Sequence, residues 1–176
     1  MTSSGLVDMY HVLGLTPEAS TYEEAFGGNT PKEVIHYGEK EEAEALAHLD
    51  WSQSEQVDFV ILGCPHYSLY QVRDLANMLD GKQAKIKFIV ETPWNIRDQA
   101  RVNGDAQKIE AAGGYILSEC CPAMNEFWPA GMKVFATDSA KMAHYVPGNH
   151  PEFEVHMGSL EQCVEAILTG KWKGRN

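Results

Sequence analysis

The sequence predicts a three-layer α/β/α domain with a mainly parallel sheet, and three observations carry that prediction. Short, nearly continuous apolar runs such as Val57-Asp58-Phe59-Val60-Ile61-Leu62 read as strands covered on both faces. Between them lie stretches whose apolar residues recur at helical spacing. Hydroxyl residues open those stretches and glycines close them, as helix caps do. No internal repeat, low-complexity tract or long linker interrupts the 176 residues, which are read as one domain, 1–176.

In chain order, residues 10–19 read as a short strand, a turn and a helix with Pro17 at its first position. Ser20-Thr21-Tyr22-Glu23 caps a short helix that ends at Gly27-Gly28. A strand is expected over 31–37 and a polar helix over 40–49. The apolar run at 57–62 is the first strand of the alternating region. Gly63-Cys64-Pro65-His66-Tyr67 breaks it, and Ser68 with Gln71 forms a capping box for a helix that buries Leu69, Val72, Leu75, Met78 and Leu79. Gly81 stops that helix, and residues 85–91 form the next strand, which completes a β-α-β unit. A helix over 105–112 closes at Gly113-Gly114 before a short strand over 115–117. Strands over 133–137 and 153–157 follow, with a helix opening at Asp138 or Ser139 between them. Ser159 and Gln162 make a second capping box, for a helix that runs to Thr169 and ends at Gly170.

Composition removes several classes of function. Fourteen Lys and Arg against 25 Asp and Glu leave a net charge of −11, which opposes nucleic-acid binding. Lys171, Lys173 and Arg175 form the one basic cluster and read as a solvated tail. No apolar run is long enough for a membrane span, and no signal peptide is read at the N-terminus, so a cytoplasmic protein is expected. The four cysteines, Cys64, Cys120, Cys121 and Cys163, include a vicinal pair and no CxxC, so reduced thiols are expected rather than disulfides.

Ligands of parallel sheets collect at the carboxyl ends of strands, so the chemistry is sought there. Cys64 precedes a helix N-terminus, where free amides favour a thiolate. It could pair with His66 as a nucleophile, face a metal with it, or be a buried thiol beside a turn proline. Ser118-Glu119-Cys120-Cys121-Pro122 sets further thiols at a strand end, and thiolates suit zinc or iron–sulfur sites. Cys163 falls within an amphipathic helix and reads as a small buried hydrophobe. Thr137-Asp138-Ser139-Ala140-Lys141 offers hydroxyls, amides and a cation to a carboxylate or phosphate, or is an ordinary capped turn. His144 reads as a surface or packed histidine, and His36, His48, His150 and His156 lack metal spacing.

Taken together, HVLGLTPEA, VDFVILGCPHYSL, CCP, TDSAKMAHYVPG and GSLEQCVEAILTG, in this order, resemble the catalytic large domain of the aconitase X family. The resemblance implies an aconitase-like domain of a hydro-lyase, a dehydratase acting on a small hydroxy acid such as 5-phosphomevalonate or cis-3-hydroxy-L-proline. It implies an iron–sulfur cluster held by three cysteines, with Cys64 and Cys121 as two ligands and the third outside this chain. Thr16, His66, Ser139 and Lys141 are the implied substrate contacts. Cys120 stands where the family usually has threonine, which leaves the choice of thiol within the pair open. Asp138 stands where the family usually has asparagine. Family large subunits are longer and work with a small swivelling domain or subunit that brings a catalytic serine. This chain is therefore read as a C-terminal portion, inactive alone. A non-catalytic ligand-binding or partner-binding remnant is the alternative.

Overall fold

A computed structural model describes residues 7, 9–124 and 128–174, so Arg175 of the basic cluster lies outside the described residues. The chain divides into two units, Met1–Glu44 and Ala45–Asn176.

In the first unit the turn expected within 10–19 forms, but the strand and the helix beside it do not. The Thr16 hydroxyl instead accepts the Val12 N–H at 2.8 Å, and the Gly14 N–H donates to the Ala19 carbonyl at 2.9 Å, folding the segment into turns. Helix α1, Tyr22–Phe26, carries a capping box from Thr21 and Glu24, one residue later than the sequence suggests. Residues 31–37 hold no strand: every one of them is exposed, and an extended segment without a pairing partner gains no ladder. Helix α2, Glu39–Leu49, runs across the division between the units and buries none of its residues.

The second unit holds the sheet. Strands β1 (Phe59–Leu62), β2 (Lys87–Glu91), β3 (Tyr115–Leu117), β4 (Val134–Thr137) and β5 (Glu154–Met157) pair in the order β3-β2-β1-β4-β5, all parallel. The helices are α3 (Leu69–Leu79), α4 (Trp94–Asn103), α5 (Asp105–Ala111), α6 (Ala140–Asn149) and α7 (Leu160–Thr169). Alternate strand residues feed two cores. Val60, Leu62, Phe88 and Val90 pack with Val72, Leu75, Ile109 and Ile167 of α3, α5 and α7. Phe59, Ile61, Ile89 and Phe135 pack with Met142 and Val146 of α6 on the other face. Both faces are therefore covered, which is why β1 and β4 are buried throughout.

Both serine capping boxes form, Ser68 with Gln71 and Ser159 with Gln162, and Gly170 ends α7 in the left-handed conformation. Helix α4 is absent from the sequence expectation because Ala100 is its only buried residue, so it carries little apolar period. Among the described residues no helix is long and apolar enough to cross a membrane.

Candidate active site at the strand ends

The strand order reverses its direction of growth beside β1: β2 and β3 extend the sheet to one side, β4 and β5 to the other. The loops after β1 and β4 therefore diverge from a common crevice at the carboxyl edge, the usual ligand position in doubly wound sheets. The β1 loop carries Cys64 and the β4 turn carries Asp138, Ser139 and Lys141.

Hydrogen bonds lock these two loops together. Ser139 caps α6, accepting the Met142 N–H at 3.1 Å, while its own hydroxyl donates to the Cys64 carbonyl. The Tyr67 hydroxyl donates to the Asp138 carboxylate. Burial raises the Asp138 pKa, against the bonds from Tyr67 and backbone amides that lower it. The Asp138 carboxylate is thus held by a tyrosine, rather than serving as the helix cap. Burial, with the neighbouring Asp138 charge, also holds the Tyr67 phenol well above its ordinary value.

The β1 loop is pinned to β2 as well. The Tyr67 N–H donates to the Glu91 carbonyl at 2.9 Å, and the Thr92 hydroxyl donates to the Tyr67 carbonyl at 2.6 Å. Gly63 makes this approach possible: it has φ of 92°, and a Cβ there would lie 2.2 Å from the Glu91 carbonyl oxygen.

The loop after β3 reaches back across β2. Glu119 has φ of 56°, and its carboxylate accepts the Trp94 N–H at 3.2 Å at the start of α4. Cys120 donates its S–H to Glu91 at 3.2 Å, and a His66 ring nitrogen lies 3.2 Å from the Cys120 carbonyl oxygen. Burial pushes the Glu91 carboxyl from 4.5 up to about 7, opposed by Cys120 and the His66 charge. Burial, then the bond to Glu91, pushes the Cys120 thiol up to about 12.

Cys64 and Cys121 both pack on the core of the α6 face. Burial raises the Cys64 thiol, outweighing the Ser139 hydroxyl and the Lys141 ammonium that pull it down, while Cys121 and Glu91 push it further up. The thiolate expected beside the helix N-terminus is therefore disfavoured in the protein alone, because desolvation exceeds the pull of Ser139 and Lys141. A His66 ring nitrogen faces the Cys120 carbonyl of the loop after β3. Cys163 is fully buried in the other core, as expected of a small hydrophobe.

Cys64, His66, Ser139 and Lys141 are thus brought to one edge, with Cys121 close enough to act on Cys64. Lys141 is exposed, whereas the Ser139 proton is committed to the Cys64 carbonyl. Thr16 lies in the first unit, where its hydroxyl is held by Val12. Sequence reasoning missed Glu91, Glu119 and Tyr67. A carboxylate closing the apolar run Phe88-Ile89-Val90 is the signal that would have singled out Glu91.

Two thiols on one edge fit part of a thiolate ligand set. Among the described residues no group of three His, Cys, Asp or Glu comes together to hold a metal ion, so a complete set needs a further ligand.

A doubly wound parallel sheet with thiols at its switch point defines the class, and a solved structure shares the fold. The holo-form of aconitase X from Thermococcus kodakaraensis superposes with a TM-score of 0.71 at 24% identity, covering 83% of this chain and 37% of that one. Residues 57–169 match the family described as Aconitase X third domain, and the chain belongs to the aconitase X family. The cis-3-hydroxy-L-proline dehydratase of Pseudomonas aeruginosa is 31% identical over 173 residues, 96% of this chain and 30% of that protein. The phosphomevalonate dehydratase large subunit of Methanothermobacter thermautotrophicus is 37% identical over 150 residues, 84% of this chain and 36% of that protein. The chain thus spans about a third of the length of these relatives.

Proposed function

We propose that this chain is the third-domain component of an iron–sulfur hydro-lyase that dehydrates a small hydroxy acid of the phosphomevalonate or cis-3-hydroxy-L-proline kind. The observation that carries the reading is the meeting of the Cys64 loop, the Cys121 loop and the Ser139–Lys141 turn at the sheet's switch point. Cys64 and Cys121 would hold the cluster together with a ligand from the rest of the enzyme. When bound, such a group supplies an iron that serves as Lewis acid for a departing hydroxyl. Lys141 and the first amides of α6 would bind the substrate's carboxylate or phosphate. Glu91, a buried carboxyl held near neutrality, stands where a proton could be kept or released beside His66. The small subunit and the segments that this chain does not span would complete and close the site. Thiols held reduced suit the cytoplasm.

Anaerobic reconstitution with iron and sulfide, with a small thiol present to fill open positions, tests the ligand assignment without needing turnover. Visible cluster absorbance is expected in the wild type, in Cys120→Ser and in Cys163→Ser, and its loss in Cys64→Ser and Cys121→Ser. Equal absorbance in all five proteins would overturn the reading. It would leave a ligand- or partner-binding remnant, which the charged Asp138 beside the anion turn favours.

A further inference from the structure

The segment between α2 and β1, residues 50–56, lies along the outer side of β5, an edge strand of the sheet. The Ser52 N–H donates to the Val155 carbonyl at 3.1 Å, and the Ser52 hydroxyl donates to the Glu154 carboxylate at 2.6 Å. The Asp50 carboxylate accepts the Met157 N–H at 3.4 Å. The C-terminal segment holds residues 50–56 as well: the Trp172 N–H donates to the Glu55 carbonyl at 2.9 Å, and Gln56 pairs with Lys171. The segment is thus a strap over an edge that another chain could otherwise pair with.

His156 of β5 fastens this strap through its ring. Its Nδ1 lies 2.7 Å from the Asp50 carboxylate, and its Nε2 lies 2.7 Å from the Ser54 carbonyl oxygen. Neither oxygen offers a proton, so both bonds form only when both ring nitrogens carry one. That form is the imidazolium. A neutral ring donates once and sets a lone pair against the other oxygen. His156 is 4% exposed, so water is not at hand to replace the lost partner. Trp172 stacks on the ring with centroids 4.9 Å apart at 15°, a face that favours a cation.

The charges around the ring are largely acidic. Asp50 touches it, and Glu154 on the same strand is bound to Ser52. Helix α7 brings the buried Cys163 thiol, on which Asp50, Glu161 and Asp138 all act, and Tyr67 holds Asp138. Strand β4 sets Ala136 opposite His156, and Glu55 of the strap is exposed. On the C-terminal segment Lys173 is paired with Glu165 at 2.5 Å, and Lys171 is exposed.

We propose that His156 is a charge-dependent latch that pins residues 50–56 to the edge of β5 as an imidazolium and releases them on losing its proton. The strap is held at lower pH and freed as pH rises, which opens the outer edge of β5. The latch adjoins the candidate site, since the Gly158 N–H donates to the Thr137 carbonyl at 3.2 Å. It rests on the strap's geometry and not on the hydro-lyase reading, so loss of cluster binding would leave it standing.

Ring nitrogen NMR and amide hydrogen exchange on the full chain, from about pH 6 to about pH 9, test the latch. At about pH 6 both His156 ring nitrogens should carry protons. As the ring becomes neutral, protection of the Ser52 amide should fall about tenfold or more beyond the intrinsic base-catalysed rise. Amides within β1 should keep their protection, which separates release of the strap from global unfolding. In His156→Gln the Ser52 amide should be weakly protected at every pH. Should that variant not fold, Asp50→Asn should bring both the neutral ring and strap release to lower pH. Three results would overturn the proposal: a singly protonated ring at about pH 6, Ser52 protection indifferent to the ring's proton, or the wild-type pH dependence in the folded variant.

Discussion

At Gly63 a single added methyl group would meet backbone rather than a side chain that can move aside. Its Cβ would overlap the Glu91 carbonyl, and its φ of 92° disfavours any L side chain. Gly63→Ala is expected to destabilise the protein by about 2–5 kcal/mol in urea denaturation. Glu91 makes a different demand. Its carboxyl titrates near 4.5 when unfolded and at about 7 when folded, so the folded protein holds the extra proton between those values. Its contribution is complete below about pH 4.5 and is lost as pH rises through about 7, on the order of 3 kcal/mol in all. Urea midpoints measured from about pH 4 to 8 should show that slope in the wild type and its loss in Glu91→Gln.

Among the elements, α6 ties fold to site most directly. Its cap, Ser139, both closes the helix and holds the Cys64 loop, so one side chain serves two segments far apart in sequence. Ser139→Ala should cost about 1–3 kcal/mol, more than Ser159→Ala at the α7 cap, which costs about 1 kcal/mol. Equal losses at the two caps, read from denaturation midpoints, would show that the Ser139 bond to Cys64 contributes nothing. The loop after β3 is held by side-chain anchors instead of a helix. Glu119 grips α4 and Cys120 grips Glu91, which steers Cys121 back towards β1.

For the whole molecule, the strand order places Lys141 beside Cys64 although 77 residues separate them. In the assembled enzyme Lys141→Ala should weaken substrate binding by about 1–3 kcal/mol, the loss of one charge-assisted hydrogen bond. An unchanged dissociation constant would make Lys141 a solvated helix residue. Asp138→Asn should strengthen binding or leave it unchanged, since Tyr67 already holds that carboxylate.

The sequence by itself determined the second unit's class: the strands β1 to β5, the serine caps of α3 and α7 and the glycine that ends α7 all lie where local patterning put them. It also marked the strand-end thiols, because a parallel sheet directs loop chemistry to one edge. Tertiary structure alone decided the rest. Residues 31–37 have strand-like composition but no partner, so they form no strand, and α4 forms with one buried alanine to announce it. The pairings of Cys120 with Glu91, Tyr67 with Asp138 and Ser139 with Cys64 join residues 29, 71 and 75 positions apart. Local propensity carries no information about such contacts; they exist because the order β3-β2-β1-β4-β5 converges those loops over one edge, where burial then reverses the thiolate expected at Cys64.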